Sequence, residues 1–295
     1  MRDKVVVIGG SGFLGSYVAE KLSKRNYDTI IYDQKEPIKL LKNQIFIKGD
    51  IKDAKKLIHT VKETKYVYNF AALADLDAAQ TQPLSTVEIN VLGNVNVLEA
   101  CRLSKVERYV FASSIYVFSK EGGFYRCSKQ SAETYIEEYN NQYNLDYTIL
   151  RYGSLYGKGA DSSNNIYKII KKALKTKTLI YEGNIEAIRE YIHVEDAANA
   201  SIDCLTNEYK NQSLVLTGLE SIKVKDFLFM LAEILNIPFE NVEFRNNYFT
   251  GHYVRTPYSF QPKLGRKYIP KDHIDFGQGL LELIENIDRE IKEEK

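Results

Sequence analysis

Short apolar runs alternate along the chain with longer stretches in which apolar residues recur at helical spacing. The short runs predict strands, at 5–8, 29–32, 44–47, 66–70, 109–112 and 148–151. The longer stretches predict helices, at 14–25, 53–60, 84–104 and 125–143. Because alternating strands and helices favour parallel pairing, this order predicts an α/β fold with a doubly wound parallel sheet and helices on both faces.

The alternation weakens after about residue 153, which predicts a smaller C-terminal α/β lobe. Further strands are expected at 178–183 and 189–194, and further helices near 195–206, 224–235 and 279–292. In this division residues 1–152 form the large domain, and 189–206 return to it. The smaller lobe consists of 153–188 and 207–295.

Glycines interrupt the chain where the first predicted strand gives way to the first helix. Gly9, Gly12 and Gly15 fit the spacing G-x-x-G-x-x-G, and Gly10 completes G-x-G-x-x-G with the last two. A tight turn needs φ values that glycine tolerates, and a pyrophosphate needs bare backbone at a helix N-terminus, where free N–H groups favour anions. The loop predicts a Rossmann-type dinucleotide site, with a plain structural turn as the alternative.

Asp33 ends the second predicted strand, 21 residues after Gly12. A carboxylate in this place accepts hydrogen bonds from the hydroxyls of the adenosine ribose. The same charge would repel a 2′-phosphate, so we expect NAD rather than NADP as the cofactor. The alternative is that an aspartate at a strand end is only a turn residue.

Tyr125 and Lys129 lie four residues apart in a predicted helix and therefore share one face. A free tyrosine has a pKa near ~10 and is a poor base at pH 7. An ammonium about 4 Å away favours the phenolate by roughly 4 kcal/mol at an effective dielectric near 20, and desolvation partly offsets this gain. Such a tyrosine can take a proton from a sugar hydroxyl while hydride leaves the same carbon. By itself Y-x-x-x-K would indicate only an exposed helix start.

Ser113 and Ser114 give the tyrosine and lysine a context, because they end the fifth predicted strand. The carboxyl ends of strands in such a sheet are where ligands bind. A serine hydroxyl there can orient the substrate oxygen, which completes a Ser–Tyr–Lys constellation.

Composition and charge restrict the possible partners. The 295 residues carry a formal net charge of +1, which gives no electrostatic footprint for nucleic acid. No uncharged run reaches the ~18 residues of a membrane span, and only about four apolar residues follow the charged N-terminus, too few for a signal peptide. The three cysteines lack CxxC spacing and the four histidines lack metal spacing. We expect a cytoplasmic protein with no metal, nucleic-acid partner or membrane segment.

A series of motifs runs in order from residue 4 to about residue 200. They are GGSGFLG at 9–15, GDI at 49–51, NFAALAD at 69–75, NVLGNVNVLEA at 90–100, SSIYVF at 113–118, YRCSK at 125–129, LRYGSLYG at 150–157 and REYIHVEDAANA at 189–200. By these motifs the chain resembles the extended short-chain dehydrogenase/reductase family, namely its NAD-dependent nucleotide-sugar epimerases and dehydratases.

The resemblance implies which residues contact NAD. They belong to the pyrophosphate loop, the ribose acid, the adenine contact, the segment beside the nicotinamide and the cofactor-lining positions: Gly9, Gly12, Phe13, Leu14, Gly15, Asp33, Asp50, Ile51, Phe70, Ala71, Ala72, Asn90, Tyr125, Lys129 and Tyr152. In this family the helices corresponding to 84–104 and 125–143 usually form a dimer bundle, so a homodimer is expected.

The resemblance also implies the catalytic and substrate-binding residues. Ser114, Tyr125 and Lys129 match the catalytic Ser/Thr, Tyr and Lys. The residues expected to bind a nucleotide-diphosphate sugar are Ser113, Ser114, Ser154, Arg189 and Arg255. His193 and Asp196 match the family's HVDD stretch, and we expect both residues to have structural roles.

Each of the two arginines has an alternative role. Arg189 matches an arginine that holds the substrate diphosphate, a task that suits the bidentate guanidinium, and the alternative is a surface ion pair with Glu190 or Glu186. Arg255 could be a second diphosphate contact, and a solvated basic loop is the alternative.

Three departures from the family pattern bear on the substrate site. The spacing from Ser114 to Tyr125 is short, which would leave the cleft more open or closed by another segment. Ser154 stands where an asparagine commonly contacts the substrate. The stretch 252–267 differs from the usual C-terminal pattern.

The reaction expected is epimerisation at C4 of the sugar. Ile115 and Tyr116 stand where 4,6-dehydratases carry an Asp–Glu pair, and neither moves a proton usefully at neutral pH, so dehydration is disfavoured. A 4-dehydrogenase or 4-ketoreductase needs the same residues and stays an alternative. A non-catalytic NAD sensor on the same fold would be expected to lack Tyr125 or Lys129.

Overall fold

The computed structural model describes residues 2–245, 252–259 and 293. The helix predicted at 279–292 lies outside these residues, as does the part of the 252–267 stretch that follows residue 259. None of the helices in the described ranges combines the length and the apolar character that a membrane crossing requires.

Strands and helices alternate through the first half of the chain. The strands are β1 (Lys4–Ile8), β2 (Asp28–Asp33), β3 (Gln44–Lys48), β4 (Tyr66–Asn69), β5 (Arg108–Ser114), β6 (Tyr147–Tyr152), β7 (Ser154–Tyr156), β8 (Leu179–Glu182), β9 (Ile188–His193), β10 (Gln212–Leu216), β11 (Ser221–Lys223) and β12 (Val242–Arg245). The α-helices are α1 (Phe13–Lys24), α2 (Ala54–Val61), α3 (Leu76–Thr81), α4 (Pro83–Val87), α5 (Gly93–Ser104), α6 (Gly123–Tyr143), α7 (Asn165–Thr176), α8 (Val194–Asp203) and α9 (Val224–Leu235). A π-helical turn, Glu88–Leu92, joins α4 to α5.

Seven of these strands form one sheet in the order β10-β6-β5-β4-β1-β2-β3. Every neighbouring pair is parallel. The chain builds outward from β1 to β3 and then crosses to β4 on the other side, so the strand order reverses between β1 and β4. This reversal opens a crevice at the carboxyl ends of the strands, where such folds bind ligands.

The two faces of the sheet have separate apolar cores, as the strand periodicity requires. In β1, Val6 and Ile8 enter a core with residues of α2, α5 and α6. Val5 and Val7 point to the opposite face and pack with residues of α1 and α8. The prediction of a doubly wound α/β sheet is therefore confirmed.

A smaller set of elements follows β6. Strands β7, β9 and β11 form a three-stranded sheet, and β8 pairs with β12. Helices α7 and α9 pack there around two small apolar clusters, which contain Ala173 and Leu228, respectively.

The structure differs from the sequence prediction in this second half. Residues 212–216, which the predicted division assigns to the smaller lobe, form β10, an edge strand of the large sheet paired with β6. Of the stretch 189–206, α8 packs on the large sheet whereas β9 lies in the small sheet. Helix α7 and strands β7, β10, β11 and β12 had not been predicted. The predicted helix 84–104 consists of α4, the π-helical turn and α5.

Candidate active site at the carboxyl ends of the strands

The glycine loop closes tightly between β1 and α1. Gly9 has φ +76°, and a Cβ on it would lie 2.6 Å from the Ala71 nitrogen. A Cβ on Gly15 would lie 2.2 Å from the Gly9 carbonyl oxygen. Side chains are thus excluded from the turn by the backbone itself and by the segment after β4.

Several polar groups of this loop remain available to a ligand. Gly12 caps α1 without a side-chain hydrogen bond, so the first amides of the helix are not satisfied by a capping side chain. The Ser11 hydroxyl is buried and has no hydrogen-bond partner in the described part of the chain. Bare amides and an unpartnered hydroxyl at a helix N-terminus fit the pyrophosphate of a dinucleotide.

Asp33 lies beside the same loop at the end of β2. Its carboxylate accepts hydrogen bonds from the Ser11 and Lys35 amides, each at 3.0 Å. These bonds hold the carboxylate next to the glycine turn, where it fits the predicted contact with the adenosine ribose.

Residues 49–51 continue from β3 at the same edge. The Tyr32 hydroxyl donates to the Asp50 carbonyl at 2.8 Å, and its ring leaves no space for a side chain on Gly49. Ile51 is buried against Gly93 of α5. The predicted adenine contact thus lies one strand beyond the ribose acid.

Asn90 braces the segment that carries Phe70, Ala71 and Ala72. Its Oδ1 accepts from the Leu73 amide at 2.7 Å, and its Nδ2 donates to the Leu73 carbonyl at 3.1 Å. The same Nδ2 lies 2.9 Å from the Ser128 hydroxyl on α6. Asn90 is buried, so its described contacts support the cofactor-lining segment and the catalytic helix.

Tyr125 and Lys129 lie on the face of α6 that covers the end of β5. The Lys129 ammonium donates to the Ala112 carbonyl at 2.7 Å and lies 5.8 Å from the centre of the Tyr125 ring. Ser114 faces Tyr125, and its hydroxyl accepts from the Tyr116 amide at 3.3 Å. The three predicted catalytic side chains therefore meet at one strand end.

Burial shifts both titratable groups of this site toward their neutral forms. It raises the pKa of Tyr125 to about 12, and the Ser114 hydroxyl opposes this rise. It lowers the pKa of Lys129 to about 7, and the charge of Glu133 opposes this fall. Near neutral pH, Tyr125 is therefore a neutral phenol, and Lys129 is a mixture of the ammonium and the neutral amine.

The cleft in front of these residues is closed by a segment that is distant in sequence. Its lining includes Ser114, Tyr125, Tyr152, Ser154 and Lys168. The Tyr116 hydroxyl lies 2.6 Å from His252 Nδ1, and the Tyr116 ring lies 5.0 Å from that of Tyr253. The short loop after Ser114 is thus compensated by residues 252–253, which sequence analysis had not included in the site.

An adjoining cleft, which shares Tyr116, Ser154 and His252 with the first, reaches Arg189. The guanidinium lies 4.4 Å from the centre of the Tyr253 ring, and its Nη1 donates to the Ile188 carbonyl at 3.1 Å. The alternative partners are occupied elsewhere: Glu186 binds Lys223, and Glu190 accepts from Ser221. No ion pair of Arg189 occurs within the described residues.

The other predicted residues have different surroundings. The Tyr152 hydroxyl lies 2.6 Å from that of Ser201 on α8, so only part of the side chain faces the cleft. Ser113 is buried and donates to Glu133 at 2.5 Å. The exposed Arg255 is not among the described residues that line the two clefts. His193 caps α8 by accepting from the Glu195 amide, in keeping with a structural role.

A family model described as the NAD-dependent epimerase/dehydratase family matches residues 5–216. The chain belongs to this family. The family assignment made from the motifs is confirmed, and so is NAD as the cofactor.

Known relatives of this family member carry out different reactions. A Methanocaldococcus jannaschii protein provisionally named as a UDP-glucose 4-epimerase is 33% identical over 242 residues, 74% of this chain and 78% of its own. A UDP-N-acetyl-α-D-glucosaminuronate decarboxylase of Bacillus cytotoxicus is 26% identical, over 82% of this chain and 85% of its own. The crystal structure of Thermus thermophilus UDP-glucose 4-epimerase with NAD is 26% identical and has a TM-score of 0.76, covering 89% of this chain and 95% of that one.

Proposed function

We propose that this member of the NAD-dependent epimerase/dehydratase family is a nucleotide-sugar 4-epimerase that works through Ser114, Tyr125 and Lys129. The observation that carries the proposal is the meeting of these three side chains at the end of β5, in a cleft that continues to Arg189. The glycine loop, Asp33 and the segment after β4 would hold the dinucleotide along the same edge of the sheet.

The chemistry of the protein consists of proton transfer and orientation. In its phenolate form Tyr125 takes the proton of the C4 hydroxyl and later returns it, while Ser114 holds the sugar oxygen beside the phenol oxygen. Lys129 favours the phenolate because its ammonium lies on the same helix face. NAD, held by the glycine loop, Asp33 and the segment after β4, would supply the acceptor for the C4 hydride and the donor that returns hydride to the opposite face of the sugar.

Ile115 and Tyr116 do not supply the acid and base that 4,6-dehydratases carry at these two positions. Ile115 is buried, and the Tyr116 hydroxyl is hydrogen-bonded to His252. Burial also raises the pKa of Tyr116, so its hydroxyl stays protonated at neutral pH and is a poor proton donor. These observations favour hydride transfer without dehydration.

The adjoining cleft would hold the nucleotide diphosphate. Arg189 is buried but lacks a carboxylate partner in the described ranges, so its charge is available for a diphosphate. Ser154 lines both clefts and would contact the sugar between them. Arg255 is exposed and outside the described linings of both clefts, which favours the solvated basic loop over a second diphosphate contact. The relatives act on UDP-sugars by name, which makes a UDP-sugar our first choice of substrate.

We also propose a homodimer formed by the faces of α4, α5 and α6. Large apolar side chains are exposed along these helices and the π-helical turn: Leu84, Val87, Leu92, Leu103, Phe124, Tyr135 and Tyr143. Packing of this surface against a second copy of the chain would remove apolar area from water and so stabilise the dimer.

Incubation with a panel of UDP-, GDP- and dTDP-sugars, followed by mass spectrometry and proton NMR, tests the reaction. Epimerisation keeps the mass of the sugar, whereas oxidation lowers it by two hydrogens. Tyr125→Phe should abolish turnover while NAD remains bound. If the unmutated protein binds NAD and converts no nucleotide sugar, it is a sensor rather than an enzyme.

A further inference from the structure

Helix α6 contacts the last residues of β5 through successive turns of one face. Lys129 donates to the Ala112 carbonyl at 2.7 Å. One turn later, Glu133 accepts from the Ser113 hydroxyl at 2.5 Å. Ala112 and Ser113 immediately precede Ser114, so both contacts fix the strand end that carries the catalytic serine.

Glu133 is held in turn by an arginine from the next strand. Arg151 on β6 donates from Nε to Oε1 at 3.0 Å and from Nη2 to Oε2 at 2.8 Å, a bidentate pair. Glu133 and Ser113 are each 4% exposed. This geometry leaves the carboxylate little freedom to rotate.

A buried ion pair such as Glu133–Arg151 contributes little net free energy to folding. Removing two charges from water has a large desolvation cost, and well-packed apolar residues of similar volume often serve a fold equally well. The position of this pair next to the catalytic lysine suggests another use for its charge.

Lys129 is buried and makes no ion pair with the residues that the structure describes. Its described contacts are the Ala112 carbonyl and the rings of Phe111 and Tyr125, at 4.6 and 5.8 Å from their centres. The carboxylate that follows one turn later on the same helix face is Glu133. Burial lowers the pKa of Lys129, and the charge of Glu133 raises it.

We propose that Glu133 is a positioning residue for the reaction proposed above, on which this inference rests. It fixes the end of β5 beside Tyr125, and its charge favours the ammonium form of Lys129. Arg151 orients the carboxylate and partly balances its charge.

Other ionisable groups also face this cluster. Glu137 lies one turn further along α6 and interacts with both Glu133 and Arg151. Tyr147 on β6 interacts with the same groups. On the other side of the lysine lies Tyr125. Any pH measurement must therefore follow Lys129 itself.

The test is a titration of the lysines by ¹³Cε NMR, with the Lys129 signal assigned by its absence from Lys129→Met. In Glu133→Gln we expect the midpoint of Lys129 to move to lower pH by about two units, given a single charge roughly 6 Å away, one helical turn along the same face, at an effective dielectric near 20. The alkaline limb of kcat/KM should move in the same direction. In Arg151→Gln both should move to higher pH.

Two further variants keep the test decisive if Arg151→Gln does not fold. Glu133→Asp keeps the charge but shortens the reach to Ser113, so kcat should fall while the Lys129 midpoint stays near that of the unmutated protein. Glu99→Gln removes a comparable carboxylate, paired with Arg102 and Tyr139 away from the cleft, and should change neither property.

An unchanged Lys129 midpoint in Glu133→Gln, or an equal shift in Glu99→Gln, would overturn the electrostatic role. Full kcat in Glu133→Asp would overturn the positioning role. Because the NMR titration needs no turnover, it still decides the electrostatic role if the unmutated protein converts no nucleotide sugar, a result that would refute only the proposed function.

Discussion

The Tyr116 hydroxyl and His252 Nδ1 are 2.6 Å apart although 136 residues separate them in the chain. The contact joins the turn that follows β5 to the segment that packs on Arg189. It closes the cleft in front of Tyr125 on the side of the short loop after Ser114.

Tyr116→Phe removes this hydrogen bond and keeps the ring. A hydrogen bond of this kind contributes about 1 kcal/mol, so we expect KM for the nucleotide sugar to rise about five-fold with little change in kcat. Steady-state kinetics measure the effect, and Tyr209→Phe is a control outside the cleft lining. An unchanged KM would show that the closure does not assist substrate binding.

Lys129→Met should stabilise the free protein near neutral pH while it abolishes turnover. The folded-state pKa of Lys129, about 7, lies below the unfolded value near ~10.4, so the unfolded state binds more protons between these values. The stability contributed by this group therefore rises with pH through that window. Each unit of difference corresponds to about 1.4 kcal/mol.

Urea unfolding of Lys129→Met and the unmutated protein at pH 7 and pH 10 measures this difference. The advantage of the variant should be larger at pH 7 and shrink at pH 10. The exposed Lys55→Met provides the baseline. A constant difference between the two proteins across this range would contradict a lowered pKa for Lys129.

Asp33→Asn should reduce the preference for NAD over NADP. The substitution removes the charge that repels a 2′-phosphate but keeps an oxygen for one of the two amides, those of Ser11 and Lys35. We expect the ratio of the two Kd values, measured by calorimetry, to fall by about ten-fold, or roughly 1.4 kcal/mol. Equal affinity for both cofactors in the unmutated protein would refute the assignment of Asp33.

Arg189→Met should weaken substrate binding more than it slows the reaction. Loss of charged hydrogen bonds to a diphosphate costs about 1.5–3 kcal/mol, which predicts a KM increase of roughly ten- to a hundred-fold with a smaller effect on kcat. Arg245→Met removes an exposed arginine of the smaller lobe and is the matched control. Equal kinetics in both variants would exclude Arg189 from the diphosphate site.

The proposed dimer can be tested on the exposed faces of α5 and α6. Light scattering coupled to size exclusion should give twice the chain mass for the unmutated protein. The pair Leu103→Glu and Tyr135→Glu should give a monomer, because both side chains are about half exposed in the single chain. Leu219→Glu, which changes an equally apolar but fully exposed residue elsewhere, should leave the dimer intact.

The sequence was sufficient wherever a feature depends on neighbours along the chain. Each of three predicted features lies within one local segment. The glycine loop joins one strand to one helix, Asp33 ends β2, and Tyr125 and Lys129 are one turn apart on one helix. The six strands from β1 to β6 were predictable because buried parallel strands are nearly continuous apolar runs. That signal is weaker in β10, which begins with two polar residues, and in β12, where apolar and charged residues alternate.

Tertiary structure alone determined how distant segments complete the site. Nothing near His252 in the sequence indicates that it meets Tyr116, and nothing near Arg151 indicates that it holds Glu133 from the next strand. Glu133 itself had a local signal, since it follows Lys129 by one helical turn. Periodicity specifies which side of a strand or helix is buried, whereas the partner it meets depends on how the chain packs, and that packing placed the cleft and its charges.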